Sequence, residues 1–281
     1  MDESIGHRVR GNGAEIPAIG LGTWTLRGDA ATRLVAGALE AGYRHIDTAT
    51  SYENESAVGA GLRASGVARD EIFLTTKVWP TDLAAGDLQR SVEGSLKRLG
   101  VDRVDLALIH WPSKTVPLAD SIAALNELRS RGLARNIGVS NFTAALVEQA
   151  VTLSEHPLAC NQVEYHPFLN QDRVMAACRK HGLAFVSYCP LARGTELLRQ
   201  EPVAEAAARH GKTPAQVVLR WHVQQDGVVA IPRSSDPGRI RENLDVFDFT
   251  LSASEAAAID ALRSRALRIC DFDFSPEWDS S

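Results

Sequence analysis

The chain has 281 residues, 44 % of them hydrophobic and 23 % charged, a globular composition long enough to bury most of its surface without staples. A formal charge of −5 excludes wholesale binding of nucleic acid or of an anionic membrane, and no apolar run approaches the roughly 20 residues of a membrane span. Cys160, Cys178, Cys189 and Cys270 lack CxxC or other metal-ligand spacing, which fits a reducing compartment.

The polar first 13 residues contain no apolar h-region, so no signal peptide is read and the cytoplasm is expected. Residues 8–19, with Asn12-Gly13 as the turn, read as a β-hairpin ahead of the main fold, where it can plug one end. Short β-branched runs follow at 43–48, 72–78, 104–111, 135–140, 158–165, 185–188 and 228–232. Between them lie helical patterns at 29–41, 53–64, 88–99, 118–130, 143–153, 172–181 and 214–224. Strands that read as apolar runs are buried on both faces, and their alternation with helices implies parallel pairing through right-handed crossovers. Seven repeats, with a weaker strand at 246–249, predict an α/β fold: a (β/α)8 TIM barrel with an N-terminal β-hairpin. No Pro/Ser/Gly-rich linker divides the chain, so one domain over residues 1–281 is expected.

Active sites of such barrels lie at the C-terminal ends of the strands. The first run there delivers Asp47 and Tyr52, the second Lys77, and the third His110-Trp111. Later runs deliver Ser140-Asn141, Gln162, Tyr188 and Ile231-Pro232-Arg233. Taken singly, Asp47 reads as a turn or cap, Lys77 as a surface lysine, Tyr52 as a loop tyrosine and His110 as a core histidine. Their joint placement at successive strand ends points instead to acid–base chemistry. A free tyrosine titrates near about 10, too high for efficient work at neutrality, and a neighbouring ammonium lowers that value. Lys77 can be that ammonium, Asp47 its carboxylate partner, Tyr52 the acid, and His110 a donor to a substrate carbonyl.

The segments Tyr43-Arg44-His45-Ile46-Asp47-Thr48-Ala49, Tyr52-Glu53-Asn54-Glu55, Thr76-Lys77-Val78-Trp79 and Leu108-Ile109-His110-Trp111-Pro112 closely resemble the aldo-keto reductases. So do Ile137-Gly138-Val139-Ser140-Asn141-Phe142, Asn161-Gln162-Val163-Glu164-Tyr165 and Ile231-Pro232-Arg233-Ser234, and the resemblance runs from about Gly20 to Asn243. It implies a barrel that binds NADP(H) without a Rossmann fold, with Tyr52 as proton donor, Lys77 and Asp47 as its partners, and His110 orienting the substrate. By the same resemblance Ser140, Asn141 and Gln162 hydrogen-bond the nicotinamide carboxamide, and Tyr188 stacks on its ring. The implied dinucleotide site also takes in Gly22, Thr23, Trp24, Asp47, Pro190 and Leu191.

Ile231, Pro232, Arg233, Ser234 and Ser235, with Arg239, Glu242 and Asn243, match the family's adenosine-phosphate segment. Arg233 and Arg239 flanking Ser234 suit a 2′-phosphate, and a helix opening at Pro237-Gly238 adds a positive dipole end. NADPH is therefore expected over NADH, although Arg233 stands where the family more usually has lysine. Gly59-Ala60-Gly61-Leu62-Arg63-Ala64 matches G-x-G-x-x-A but follows a helical pattern, so it reads as small-residue packing. The histidines show no ligand spacing and no metal is expected.

Trp24, Trp79 and Trp111 are expected to line the substrate pocket beside Tyr52 and His110, with Asp271, Phe272 and Phe274 closing one side. The resulting expectation is a monomeric reductase of aldehydes and reactive ketones such as α-ketoaldehydes and keto-sugar acids. Among subgroups the chain looks most like bacterial enzymes that reduce diketogluconate and small aldehydes. The alternative is an NADP(H)-binding sensor that uses the barrel with little catalysis.

Overall fold

The computed structural model describes residues 7–194 and 196–279. β1 (Arg8–Gly11) and β2 (Ala14–Pro17) form the expected antiparallel hairpin. Its turn residues Asn12 and Gly13 have φ of 45° and 93°, the positive values that a tight two-residue turn requires. The Asn12 amide donates to the carbonyls of Leu158 (2.8 Å) and His181 (3.0 Å), which lie at or before the starts of later strands. The hairpin therefore covers the N-terminal end of the barrel.

Eight strands pair in parallel and in chain order: β3 (Leu21–Gly22), β4 (His45–Asp47), β5 (Phe73–Val78), β6 (Val104–Ile109), β7 (Ala134–Ser140), β8 (Leu158–Glu164), β9 (Ala184–Tyr188) and β10 (Val228–Ala230). A bridge between Ile19 and Ala230 joins the last strand to the first. One helix follows each of the first six: α1 (Gly28–Glu40), α2 (Glu55–Ala64), α3 (Asp87–Leu99), α4 (Leu118–Ser130), α5 (Ala144–Leu153) and α6 (Asp172–Lys180). α7 (Glu201–His210) and α8 (Pro214–Val223) follow β9, and α9 (Pro237–Leu244) and α10 (Ala253–Asp260) follow β10. Every residue of β5, β6 and β8 is buried, as their unbroken apolar reading predicts.

The eighth strand is not where the sequence suggested. Residues 246–249 form no strand; Val246 is buried, Phe247 and Phe249 pack on the core, and Lys212 ties Asp248 within the segment and Asp245 just before it, at 2.7 and 2.9 Å. Leu21–Gly22 completes the barrel instead. The strand is only two residues long and bounded by glycine, because a Cβ at Gly20 would lie 2.6 Å from the His45 ring and one at Gly22 2.9 Å from the Ile231 carbonyl. So short and glycine-rich a segment carries no β-branched run to detect.

The glycine pair inside α2 is a packing device, as expected. A Cβ at Gly59 would sit 2.1 Å from the Leu99 carbonyl at the end of α3, and one at Gly61 2.7 Å from Val35 on α1. Gly59→Ala should destabilise the chain by about 1–3 kcal/mol through overpacking. Denaturant unfolding checks it, and a change below about 0.5 kcal/mol would show that α2 and α3 separate freely.

Candidate active site

Parallel register explains why Asp47 and Lys77 meet. Asp47 pairs with Thr75, and Lys77 lies two residues further along β5, on the same face of the sheet. The Lys77 side chain is fully buried and its ammonium donates to Asp47 Oδ1 at 2.5 Å and to the Thr48 carbonyl at 3.0 Å. Its third donor reaches the Tyr52 hydroxyl at 3.3 Å, with the ammonium 4.9 Å from the Tyr52 ring centre. From β8, Gln162 donates to Asp47 Oδ2 at 2.8 Å, so both carboxylate oxygens are engaged. A buried ion pair stripped of water needs such additional bonds to hold.

Tyr52 closes a 3₁₀ turn, Thr50–Tyr52, just beyond β4. The turn is fixed at both ends: Thr50 donates to the Lys77 carbonyl at 3.0 Å, and Glu53 takes a left-handed φ of 55°. Buried Asn54 then accepts from Thr48 at 2.8 Å and donates to the carbonyls of Thr23 and Leu26. Glu55, also buried, accepts from Thr76 at 2.6 Å and from Arg98 at 2.8 Å. The Glu53-Asn54-Glu55 run is thus the frame that presents Tyr52.

His110 packs edge-on against Tyr52 (5.7 Å between ring centres) and Trp79 (5.2 Å), with Ser51 Oγ 3.5 Å from Nδ1. Burial, and then the Lys77 charge, hold its pKa well below the usual histidine value, so at neutrality it is an uncharged donor. Lys77 has the opposite outcome. Burial works against its charge, but Asp47 and Tyr52 outweigh burial and raise its pKa above the ordinary 10.5.

Tyr52 departs from the expectation. Lys77 does pull its pKa down, but burial pushes harder in the other direction and Asp47 adds to that push, so the net shift is upward. The reason is charge balance: an ammonium already paired with a carboxylate offers little net field. The hydroxyl accordingly keeps its proton at neutral pH, the state a proton donor needs.

Ser140, Asn141, Gln162 and Tyr188 come together in one network. Ser140 donates to the Gln162 carbonyl at 2.8 Å, and Asn141, with φ of 61°, donates to the His110 carbonyl at 2.9 Å. The Tyr188 hydroxyl donates to Asn141 Oδ1 at 2.7 Å.

Trp79 and Trp111 each pack edge-on to Phe274 at 5.3 Å, and Phe272 stacks on Phe274 at 5.1 Å. The tail that carries these phenylalanines is pinned by buried Glu164 at the end of β8, which accepts from the backbone N–H of Ile269 (2.7 Å) and Cys270 (2.6 Å). Trp24 is different: it is 48 % exposed, lies 5.7 Å from the Arg193 guanidinium, and borders an adjoining cleft rather than this aromatic wall.

That cleft has a volume of about 710 Å³ and runs between the β9 loop and the 232–243 segment, within the range of ligand sites, about 300–1,000 Å³. Pro190 and Leu191 border one side; Pro232, Arg233, Ser234, Ser235, Arg239, Glu242 and Asn243 border the other. Gly22, Thr23 and Ile231 are buried and do not line it, though Gly22 N–H donates to the carbonyl of Pro232, which does, at 3.0 Å. Cys189 and Arg193 also line it and were not singled out in the sequence, since neither sits in a recognisable motif. Three arginines, Arg193, Arg233 and Arg239, with Ser235 and Asn243 beside them, fit a phosphorylated dinucleotide. One expected feature is altered: Asp236 Oδ1 caps α9, accepting from Gly238 N–H at 2.7 Å and Arg239 N–H at 3.2 Å, so this helix start is not an open donor. A second depression, about 850 Å³, lies at the opposite end of the barrel among Arg63, Arg69 and Arg135. Arg69 and Arg135 there pair with Asp105, and Arg63 donates to the Leu99 carbonyl.

Comparison with known proteins agrees with this architecture. The sequence profile of the Aldo/keto reductase family matches residues 18–264. A 2,5-diketo-D-gluconic acid reductase B from Corynebacterium sp. is 45 % identical over 244 residues, covering 86 % of this chain and 88 % of that protein. The crystal structure of an aldo/keto reductase from Brucella melitensis superposes with a TM-score of 0.86 at 41 % identity, over 91 % of this chain and 99 % of that one. That of a Bombyx mori aldo-keto reductase in complex with NADP gives 0.88 at 33 % identity, over 94 % and 95 %. With its barrel, its strand-end constellation and these matches in agreement, the chain belongs to the aldo/keto reductase family.

Proposed function

We propose that this chain is an NADPH-dependent reductase of aldehydes and reactive ketones, with α-ketoaldehydes and keto-sugar acids as the substrate class. A single barrel domain acting as a monomer carries the reaction. The observation that supports it most directly is the Asp47–Lys77–Tyr52 relay, with bonds of 2.5 and 3.3 Å, opening beside His110 under an aromatic wall.

When bound, the dinucleotide supplies the hydride. Everything else is work for the protein. Neutral His110 donates an N–H to the substrate carbonyl oxygen and orients it beside the Tyr52 hydroxyl. Tyr52 gives its proton to that oxygen, and the Lys77 ammonium stabilises the phenolate left behind. Asp47 keeps Lys77 charged, and Gln162 keeps Asp47 in place. Trp79, Trp111 and Phe274 shield the site from water and offer a flat apolar wall. Ser140 and Asn141 serve the carboxamide of the nicotinamide, Tyr188 its ring, and Arg233 and Arg239 the adenosine phosphate. The diketogluconate named for the Corynebacterium relative is one member of the proposed substrate class.

A panel of carbonyl compounds assayed with NADPH tests the activity: methylglyoxal and an aromatic aldehyde should be reduced, and simple unactivated ketones poorly. For the cofactor, Arg239→Ala should weaken NADP⁺ binding by about 1.5–3 kcal/mol, the worth of a charge-assisted hydrogen bond, and leave NAD⁺ nearly untouched. Titration calorimetry with both dinucleotides checks this, and equal losses for the two would remove Arg239 from the phosphate site.

A further inference from the structure

The wall of the cleft at 232–243 carries a carboxylate between its two arginines. Asp236 lies three residues from each of Arg233 and Arg239, and all three line the same space. Its Oδ1 takes the N–H groups of Gly238 and Arg239. Its own N–H donates to Ser234 Oγ at 3.0 Å, and the Ser234 hydroxyl donates back to the Asp236 carbonyl at 3.3 Å. Two backbone donors and one hydroxyl that could have met a phosphate are thus committed within the loop. An incoming phosphate would lose those donors and face a like charge, whereas a ribose hydroxyl can donate directly to the carboxylate.

Building on the dinucleotide reading above, we infer that Asp236 is a specificity-determining residue of this cleft, one that accepts a ribose 2′-hydroxyl and holds down the preference for a 2′-phosphate. NAD(H) then binds within about tenfold of NADP(H), a difference of roughly 1.4 kcal/mol. Arg233 and Arg239 supply the attraction for phosphate, and Asp236 offsets much of it.

The test is the pair of dissociation constants for NADP⁺ and NAD⁺, read by quenching of tryptophan fluorescence, for the wild type, Asp236→Asn and Arg239→Ala. Asparagine keeps an oxygen to cap α9 and removes only the charge, so an unchanged melting temperature is expected. Asp236→Asn should tighten NADP⁺ about tenfold and leave NAD⁺ unchanged or weaker. An NADP⁺ affinity within about twofold of wild type, or equal tightening of both dinucleotides, overturns the inference. If Arg239→Ala loses NADP⁺ while Asp236→Asn is silent, the cofactor cleft stands and Asp236 alone is refuted. Wild type that binds neither dinucleotide refutes the cofactor reading and this inference with it.

Discussion

Tyr52→Phe should lower kcat for NADPH-linked reduction of an aromatic aldehyde by about 10²–10⁴-fold, the ordinary worth of a positioned general acid, with NADP⁺ affinity unchanged. The change removes one hydroxyl and little else. The phenyl ring keeps its edge contact with His110 at 5.7 Å and its place 4.9 Å beneath the Lys77 ammonium. Lys77 keeps Asp47 and the Thr48 carbonyl, so no buried charge is orphaned. The loss therefore belongs to chemistry, and it should appear in kcat with little change in KM. Full turnover in Tyr52→Phe would mean that the proton comes from another group.

Lys77→Met should be more damaging, because it strikes stability as well as turnover. Methionine fills a similar volume but leaves Asp47 Oδ1 and the Thr48 carbonyl without a donor in a site shut off from solvent. Breaking a buried pair from one side costs about 3–5 kcal/mol, to be read from urea unfolding, and activity should be lost with the ammonium. The pH dependence has a definite sign. The folded pKa of Lys77 lies above the ordinary 10.5, so its stabilisation is fully present below that value and fades only as pH rises through the higher folded one. The gap between wild type and Lys77→Met, as far as Lys77 sets it, should be flat across neutral pH. Asp47→Asn has a single acceptor oxygen, so it keeps only one of the bonds from Lys77 and Gln162, sets its NH2 against the other donor, and should lose stability as well.

Much of this arrangement is written in the sequence because strand ends announce themselves. Asp47, Lys77, His110, Ser140 and Gln162 each close or lie near the end of an apolar run, and parallel pairing carries all such ends to one rim. What stayed hidden depends on length, context or competition between forces. β3 is too short and too rich in glycine to give a pattern. The loop holding Cys189 and Arg193 reaches the cleft through left-handed backbone, with φ of 50° at Cys189 and 58° at Arg193, which side-chain chemistry does not foretell. Glu164 was visible only as a motif letter; its task of gripping the tail emerges once Ile269 and Cys270 fold over it. The direction of the Tyr52 shift is the instructive case. Proximity to Lys77 was legible, but the Asp47 charge and the burial that outweigh it are properties of the packed site.

The central claim, that this cleft and this relay perform carbonyl reduction, is tested most directly by following the hydride. The enzyme is incubated with methylglyoxal or an aromatic aldehyde and NADPH deuterated at the transferring position, and the products are examined by mass spectrometry. The account predicts one NADPH oxidised per alcohol formed, with deuterium on the carbinol carbon and the hydroxyl proton exchangeable. Tight NADPH binding with no oxidation across the carbonyl panel would contradict it, and would make the barrel a dinucleotide-binding sensor instead.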